Sequence, residues 1–347
     1  MSKKTILLCI STNLGISRLL ERNLIACGFN VILLCPYNEK GEGFKYPTLW
    51  DRIKVNFRKN ILKEKEAKRK FECEVYFRNL QGKINQKIDY SLFFLMQGFS
   101  PEIILKIKEI TKGNGMINYQ WDSLTRYPKA MENLKYFDRC YVFDSNDLKY
   151  NELFYNLYPT TNFYFDYEDE IQIQDNGKLY FIGGHNTSRQ NEIVNFALYA
   201  QEHKINLDIQ IVCQDIHKCR DIYPSNVNLL PLSEIKPFSE NIALAKQCHC
   251  ILDFVIAQHS GCSFRVFEAL GYGKKLITTN KNIKYYDFYH PNNMFVLDNN
   301  FDELEAFLTK PYVELDPSIK KKYSFSNWIN YVLNIEPYQP ILLPNEN

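Results

Sequence analysis

Between Cys250 and Asn280 the chain reads CILDFVIAQHSGCSFRVFEALGYGKKLITTN, and within it residues suited to a phosphorylated ligand fall close together. Gly261 and Ser263 precede apolar residues at Phe264, Phe267 and Leu270, a helical spacing. Gly271 and Gly273 stand where a helix ends. The free backbone N–H groups at such a helix start, with the positive end of its dipole, suit a phosphate. Arg265 adds a planar cationic fork, and Lys274 a further positive charge. Glu268, three residues past Arg265, is a carboxylate able to accept both hydroxyls of a ribose. The competing reading is a plain crossover helix whose Glu268 is solvated and whose glycines only cap.

The elements that must position these residues are legible around them. Cys250–Phe254 is an apolar strand ending near an acid. A polar loop over 258–262, the helix, and a second strand from Lys275 to Thr279 follow, the size of one parallel crossover. The run Gly261–Thr279 resembles the donor-nucleotide motif of bacterial GT-B glycosyltransferases. It is most similar to a branch associated with capsule and lipopolysaccharide synthesis and related to CgeB-like spore-maturation proteins. Glu268-Ala269-Leu270-Gly271-Tyr272-Gly273-Lys274-Lys275-Leu276-Ile277 matches the family run E-A-L-G-x-G-x-P-V-I, with Lys275 at the proline. The resemblance implies an α/β chain of the GT-B fold, two Rossmann-like domains facing each other across a cleft, with Glu268 on the nucleotide ribose. Retaining members carry a second glutamate eight residues earlier. This chain has Ser260 there, so whether transfer retains or inverts configuration is open.

A strand–loop–helix pattern also begins at Leu179. Leu179–Ile182 is a strand, and Gly183-Gly184-His185-Asn186-Thr187-Ser188-Arg189 leads to a helix over 191–201. Gly-Gly and an arginine again suit a pyrophosphate, and the resemblance assigns Gly184 and Arg189 to the donor. His185 either contacts the donor or acts as an acid, or is merely exposed. The chain has no Asp-x-Asp triplet, and no His/Cys cluster has zinc spacing. The resemblance implies a nucleotide sugar as co-substrate, and without such a triplet its leaving diphosphate is expected to be met by Arg189, Arg265, Lys274 and helix N-termini, with no metal and no separate cofactor.

The first half opens as β-α-β: a strand Thr5–Ile10, a turn over 11–15, a helix from Ile16, and a strand Val31–Cys35. It lacks G-x-G-x-x-G, so nothing supports a dinucleotide. Asn13 and Gly15 are either acceptor contacts or a plain turn. Asp89–Met96 is an apolar strand run, and Ser100-Pro101 opens a helix with cap before proline. Met116–Tyr119 is a strand followed by Tyr119-Gln120-Trp121-Asp122-Ser123, which resembles a tyrosine-x-tryptophan-aspartate-serine run of the same family. In open α/β sheets ligands bind beyond the strand ends. Asp122 is then either the base that takes an acceptor proton or a helix N-cap, and Arg126 is placed to serve an anionic group.

With 347 residues, 45% apolar and 15% aromatic, two domains are expected: 1–170 for the acceptor, 171–320 for the donor. A C-terminal helix and tail, 321–347, would pack back on the first domain, with the last ten residues loose. A formal charge of +2 lacks the global basicity of a nucleic-acid binder. Ten scattered cysteines without a CxxC pair, no signal-peptide pattern and no apolar run of about 20 residues point to the reduced cytoplasm. Residues 51–88 hold twelve Lys/Arg against five Asp/Glu, with Trp50, Ile53, Phe57, Ile61 and Leu62 at helical spacing. This is either a basic amphipathic stretch with weak attraction to the inner membrane face or to an anionic acceptor, or a solvated helix face. The function expected is transfer of a sugar from a nucleotide sugar to a glycan or lipid-linked acceptor. The rivals are a nucleotide-sugar 2-epimerase and a non-catalytic nucleotide-sugar binding protein.

Overall fold

The computed structural model describes residues 3–344 except 11–14, 36–43, 83, 85–86, 151–155, 168–173, 258–259 and 299–300, and except the side chains of 129 and 130. The chain divides into two compact units. The first comprises Met1–Thr160 and Ile329–Pro337, the second Thr161–Trp328 and Tyr338–Asn347.

In the first unit the elements run β1 (Thr5–Ile10), α1 (Ile16–Ala26), β2 (Asn30–Leu34), α2 (Leu49–Asn60), α3 (Ala67–Gln81), β3 (Tyr90–Phe94), α4 (Pro101–Ile110), β4 (Met116–Gln120), β5 (Arg139–Val142) and β6 (Leu157–Pro159). The strands form one parallel sheet in the order β2-β1-β3-β4-β5-β6. All six residues of β1 are buried, as expected for a parallel sheet covered on both faces. Leu92 and Phe93 on β3, Ile117 on β4 and Cys140 on β5 have no exposed surface either. The Ser100-Pro101 start of α4 forms as its sequence dictates: Ser100 Oγ accepts from the Ile103 amide at 3.4 Å, and Pro101 occupies the first turn.

The second unit runs β7 (Leu179–Gly184), α5 (Gln190–Glu202), β8 (Leu207–Cys213), α6 (Ile216–Arg220), β9 (Val227–Pro231), α7 (Phe238–Gln247), β10 (Cys250–Asp253), α8 (Phe264–Tyr272), β11 (Lys275–Thr278), β12 (Met294–Val296), α9 (Leu304–Thr309), α10 (Pro317–Lys322) and the first part of α11 (Phe325–Leu333). Its sheet, again parallel, has the order β12-β11-β10-β7-β8-β9. The chain builds outward from β7 to β9, then returns to β10 and builds the other way. The order therefore reverses between β7 and β10, the crevice at which open α/β sheets bind ligands. The first sheet reverses in the same way between β1 and β3.

The break at 160/161 lies earlier than the expected 170/171 because the aromatic run before 167 is core rather than linker. The Phe163 ring packs on Phe264 and Phe325 with centroids 5.3 and 5.1 Å away, and on Trp328 at 4.5 Å. Asn162 Nδ2 donates to the Cys262 carbonyl at 2.9 Å. The Tyr164 ring lies against Gly271 so closely that a Cβ there would come within 2.2 Å of it. The tail divides between the two units. Tyr331 Oη donates to the Pro159 carbonyl at 3.0 Å in the first unit. Gln339 then exchanges two hydrogen bonds with Asn327 of the second, at 2.7 and 3.0 Å. Ile341 is fully buried, so the chain up to there is not loose.

No helix among the described residues is long and apolar enough to cross a membrane. No group of three or more His, Cys, Asp or Glu among them is arranged to hold a metal ion.

Candidate functional site

At the reversal between β7 and β10 the last residue of β10, Asp253, is 1% exposed. A carboxylate so placed must be fully satisfied. Ser263 Oγ donates to its Oδ1 at 2.8 Å, Thr278 Oγ1 to its Oδ2 at 2.9 Å, and Arg265 Nη1 lies 3.4 Å from Oδ1. Arg265 Nη2 donates to the Ile182 carbonyl on β7 at 2.5 Å. Asp253 thus ties the start of α8 to three neighbouring strands. Asp253→Ala is expected to cost about 2–4 kcal/mol of stability by leaving these donors without their shared acceptor. A urea midpoint equal to that of the parent would refute the bracing role.

A second guanidinium lies beside the first. Arg189 is 5% exposed, at the start of α5. Its Nη2 donates to the Gly184 carbonyl at 2.6 Å and its Nη1 to the Phe254 carbonyl at 3.2 Å. Both cations stack on one ring: the guanidinium carbons of Arg265 and Arg189 stand 4.6 and 5.2 Å from the centre of Phe181. Burial, with the like charge of Arg265 as the next cause, brings the Arg189 guanidinium down to about 10. Arg265 alone pairs with the buried Asp253 carboxylate, whose charge acts on Arg189 only through space. Gly183 makes the crowding feasible, since a Cβ there would meet Arg189 Nη2 at 2.6 Å and the Phe181 ring at 2.9 Å.

The loops around this pair are tied to each other. Asn186 Oδ1 accepts from the Ser188 amide and hydroxyl at 2.9 and 2.8 Å, and Ser188 Oγ accepts from the Ala257 amide at 3.1 Å. Asn280 Nδ2 reaches the carbonyls of Ser260 and Gly261 at 3.5 Å each. The Ser263 side chain does not cap α8, because its hydroxyl is committed to Asp253. The first turn of α8 therefore carries its positive dipole end without a side-chain cap, next to Arg265.

The structure brings Gly184, Arg189, Gly261, Ser263 and Arg265 to this crevice. Arg189 serves as a brace beneath the loop, with two of its three nitrogens on backbone carbonyls. Its Nε is buried without a partner. His185 is half-buried, its Nδ1 3.0 Å from Tyr223 Oη, rather than simply exposed. Glu268 lies one turn further along α8. Its charge acts on the buried hydroxyl of Tyr180, whose pKa is raised by burial first and by Glu268 next. Lys274 is not in the group. It precedes β11 at the amino ends of the strands, where its amide bonds the Ala269 carbonyl and its charge acts on Asp175 and Cys248.

In the first unit Asp122 and Arg126 meet. Arg126 Nη1 lies 2.8 and 2.9 Å from the two carboxylate oxygens of Asp122, which follows β4. Asp122 is not a helix cap here; Ser123 takes that place and accepts from the Thr125 amide. Gly15 stands before α1 in a left-handed conformation. Asn13 lies outside the described residues. The sequence reading passed over Asp253, Thr278, Phe181 and Tyr223. Only Asp253 left a trace, as the acid that closes a buried apolar strand.

No family model and no curated protein matches this sequence. Solved structures do share its architecture. An alpha-glucosyltransferase in complex with UDP and a 13-mer DNA containing a central A:G mismatch is similar at a TM-score of 0.54 and 12% identity, over 88% of this chain and 89% of that one. An alpha-glucosyltransferase in complex with UDP-glucose and DNA containing an abasic site gives 0.53 at 9% identity, over 96% and 94%. An alpha-glucosyltransferase (AGT) in complex with UDP gives 0.51 at 12% identity, over 96% of both chains. The chain has the GT-B fold. In this GT-B chain the paired arginines and the uncapped helix occupy the reversal point of the second sheet.

Proposed function

We propose that this chain is a glycosyltransferase that takes a sugar from a nucleotide-sugar donor. The observation that carries the reading is the Arg189–Phe181–Arg265 stack, in which two guanidiniums lie on one ring and only Arg265 pairs with the buried Asp253 carboxylate, beside a helix N-terminus without a side-chain cap. An anion of the diphosphate type satisfies that arrangement. The structurally similar proteins are described as binding UDP or UDP-glucose, which agrees with such a ligand.

In this reading Arg265 and the first amides of α8 hold the diphosphate, and Arg189 keeps the Gly184 and Phe254 backbone in place around it. Gly184 and Gly261 let the ligand approach the backbone, and Glu268 accepts from the ribose hydroxyls. His185, held by Tyr223, lines the same crevice. In the first unit Asp122 takes the proton of the acceptor hydroxyl and Arg126 fixes its orientation, with Gly15 and Asn13 as further acceptor contacts. The acceptor oxygen bonds to the anomeric carbon while the bond from that carbon to the diphosphate breaks. The electron pair leaves with the nucleoside diphosphate. The acceptor we favour is a glycan or lipid-linked sugar of a capsule, lipopolysaccharide or exopolysaccharide. The near-neutral formal charge of +2 favours such an acceptor over DNA.

Calorimetric titration with UDP, UDP-glucose and other nucleotide sugars tests the donor half. Glu268→Ala is expected to weaken the donor that binds by about 1–3 kcal/mol, the value of charge-assisted hydrogen bonds to ribose. An unaltered affinity in that variant would remove the ribose assignment, and no binding by the parent would remove the donor site itself.

A further inference from the structure

The basic stretch after residue 48 plays no part in the reading above, and its geometry is unusual for a surface helix. α2 turns only Val55 fully inward. Leu49, Trp50, Ile53 and Phe57, and after the helix Ile61 and Leu62, are all exposed, with Trp50 at 73% and Phe57 at 54%. At about 100° per residue, Leu49, Trp50, Ile53, Phe57 and Ile61 fall within a stripe roughly 120° wide, opposite Val55. The apolar stripe of this helix thus faces away from the unit that the helix packs on. Lys54 borders the stripe on one side, and Arg52 and Lys59 on the other, all exposed. Lys63 and Lys65 continue the exposed positive charge past the helix.

An apolar stripe alone does not say what covers it. The flanking charges do. A row of cations beside exposed tryptophan, phenylalanine and isoleucine matches an anionic lipid surface, where the rings sink to headgroup depth and the lysines and arginines meet phosphates. Trp50 is the side chain best suited to that boundary, apolar in body with one N–H donor. We infer that α2 and the residues to Lys65 form a docking surface for an anionic bilayer. The helix lies in the plane of the interface with the Leu49–Trp50–Ile53–Phe57 face down. The contact is reversible, because the stripe is short and no second anchor accompanies it among the described residues.

The test uses the full chain and vesicles of phosphatidylcholine with or without about 30% phosphatidylglycerol, at low and high salt. The chain is expected to float with the anionic vesicles at low salt, and to lose most of that binding in high salt or on neutral vesicles. Ile53→Glu with Phe57→Glu, both at exposed positions, is expected to lower partition at least roughly tenfold, as is Lys54→Glu with Lys59→Glu. Brominated lipid is expected to quench fluorescence of the parent and not of Trp50→Phe. Absence of flotation, or variants that float like the parent, would overturn the inference. So would a parent that forms dimers in solution which the Ile53→Glu/Phe57→Glu pair dissolves, since the stripe would then be covered by a second copy. The readout does not depend on sugar transfer. Vesicle binding by a chain without transferase activity would refute the transfer reading and leave this one standing.

Discussion

Asp122→Asn is expected to lower the rate of sugar transfer by about 10²–10⁴-fold while leaving donor affinity unchanged. The substitution preserves size and removes the anionic acceptor that the proposed mechanism assigns to the acceptor's proton. It also breaks the ion pair with Arg126, at 2.8 Å, but that guanidinium is 41% exposed and remains solvated, so the cost to folding is small. Single-turnover transfer with radiolabelled donor, alongside a donor titration, separates rate from binding. A variant with the full rate would show that Asp122 only orients Arg126. A variant with unchanged rate at saturating acceptor but a raised acceptor KM would place the pair in acceptor binding instead.

Arg265→Gln is expected to reduce kcat by about 10²–10³-fold, the size seen when a donor to a developing negative charge is removed. Two of this cation's five N–H groups are already directed at Ile182 and Asp253, which fixes its remaining face. A fork held in this way needs no reorganisation as the diphosphate leaves. Arg265→Lys is expected to recover little, because an ammonium cannot span both anchors and stack on Phe181. Melting temperatures of both variants check that the loss is not one of folding. A glutamine variant with the parent's kcat would remove Arg265 from the site and leave Arg189 and the α8 amides as the positive groups beside it.

Much of this architecture was open to inspection in the sequence, for a physical reason. Parallel strands buried on both faces must be continuous apolar runs, so TILLCI, DYSLFF and CILDF announce themselves. Helix caps are local chemistry, so Ser100-Pro101 reads correctly. The run Glu268–Ile277 that resembles a family motif lies on α8 and β11, beside the β7/β10 reversal. What could not be read is long-range. Nothing local distinguishes Arg189 as a buried brace from Arg189 as a ligand; only the carbonyls of Gly184 and Phe254 decide it. Lys274 looks like part of the motif because it is near in sequence, yet the helix between carries it to the far ends of the strands. Phe163 and Phe165 have no period because they serve as plugs in the core of the second unit rather than as members of a strand or helix.

The return of the tail also bears on how the chain matures. Residues 329–337 complete the first unit and 338–344 the second, with Tyr331 on Pro159 and Gln339 on Asn327. During synthesis the amino-terminal unit therefore still lacks residues 329–337 when its own sheet has emerged from the ribosome. Its residues 329–337 follow the whole second sheet in the chain, so the two units reach their final form nearly together instead of one after the other.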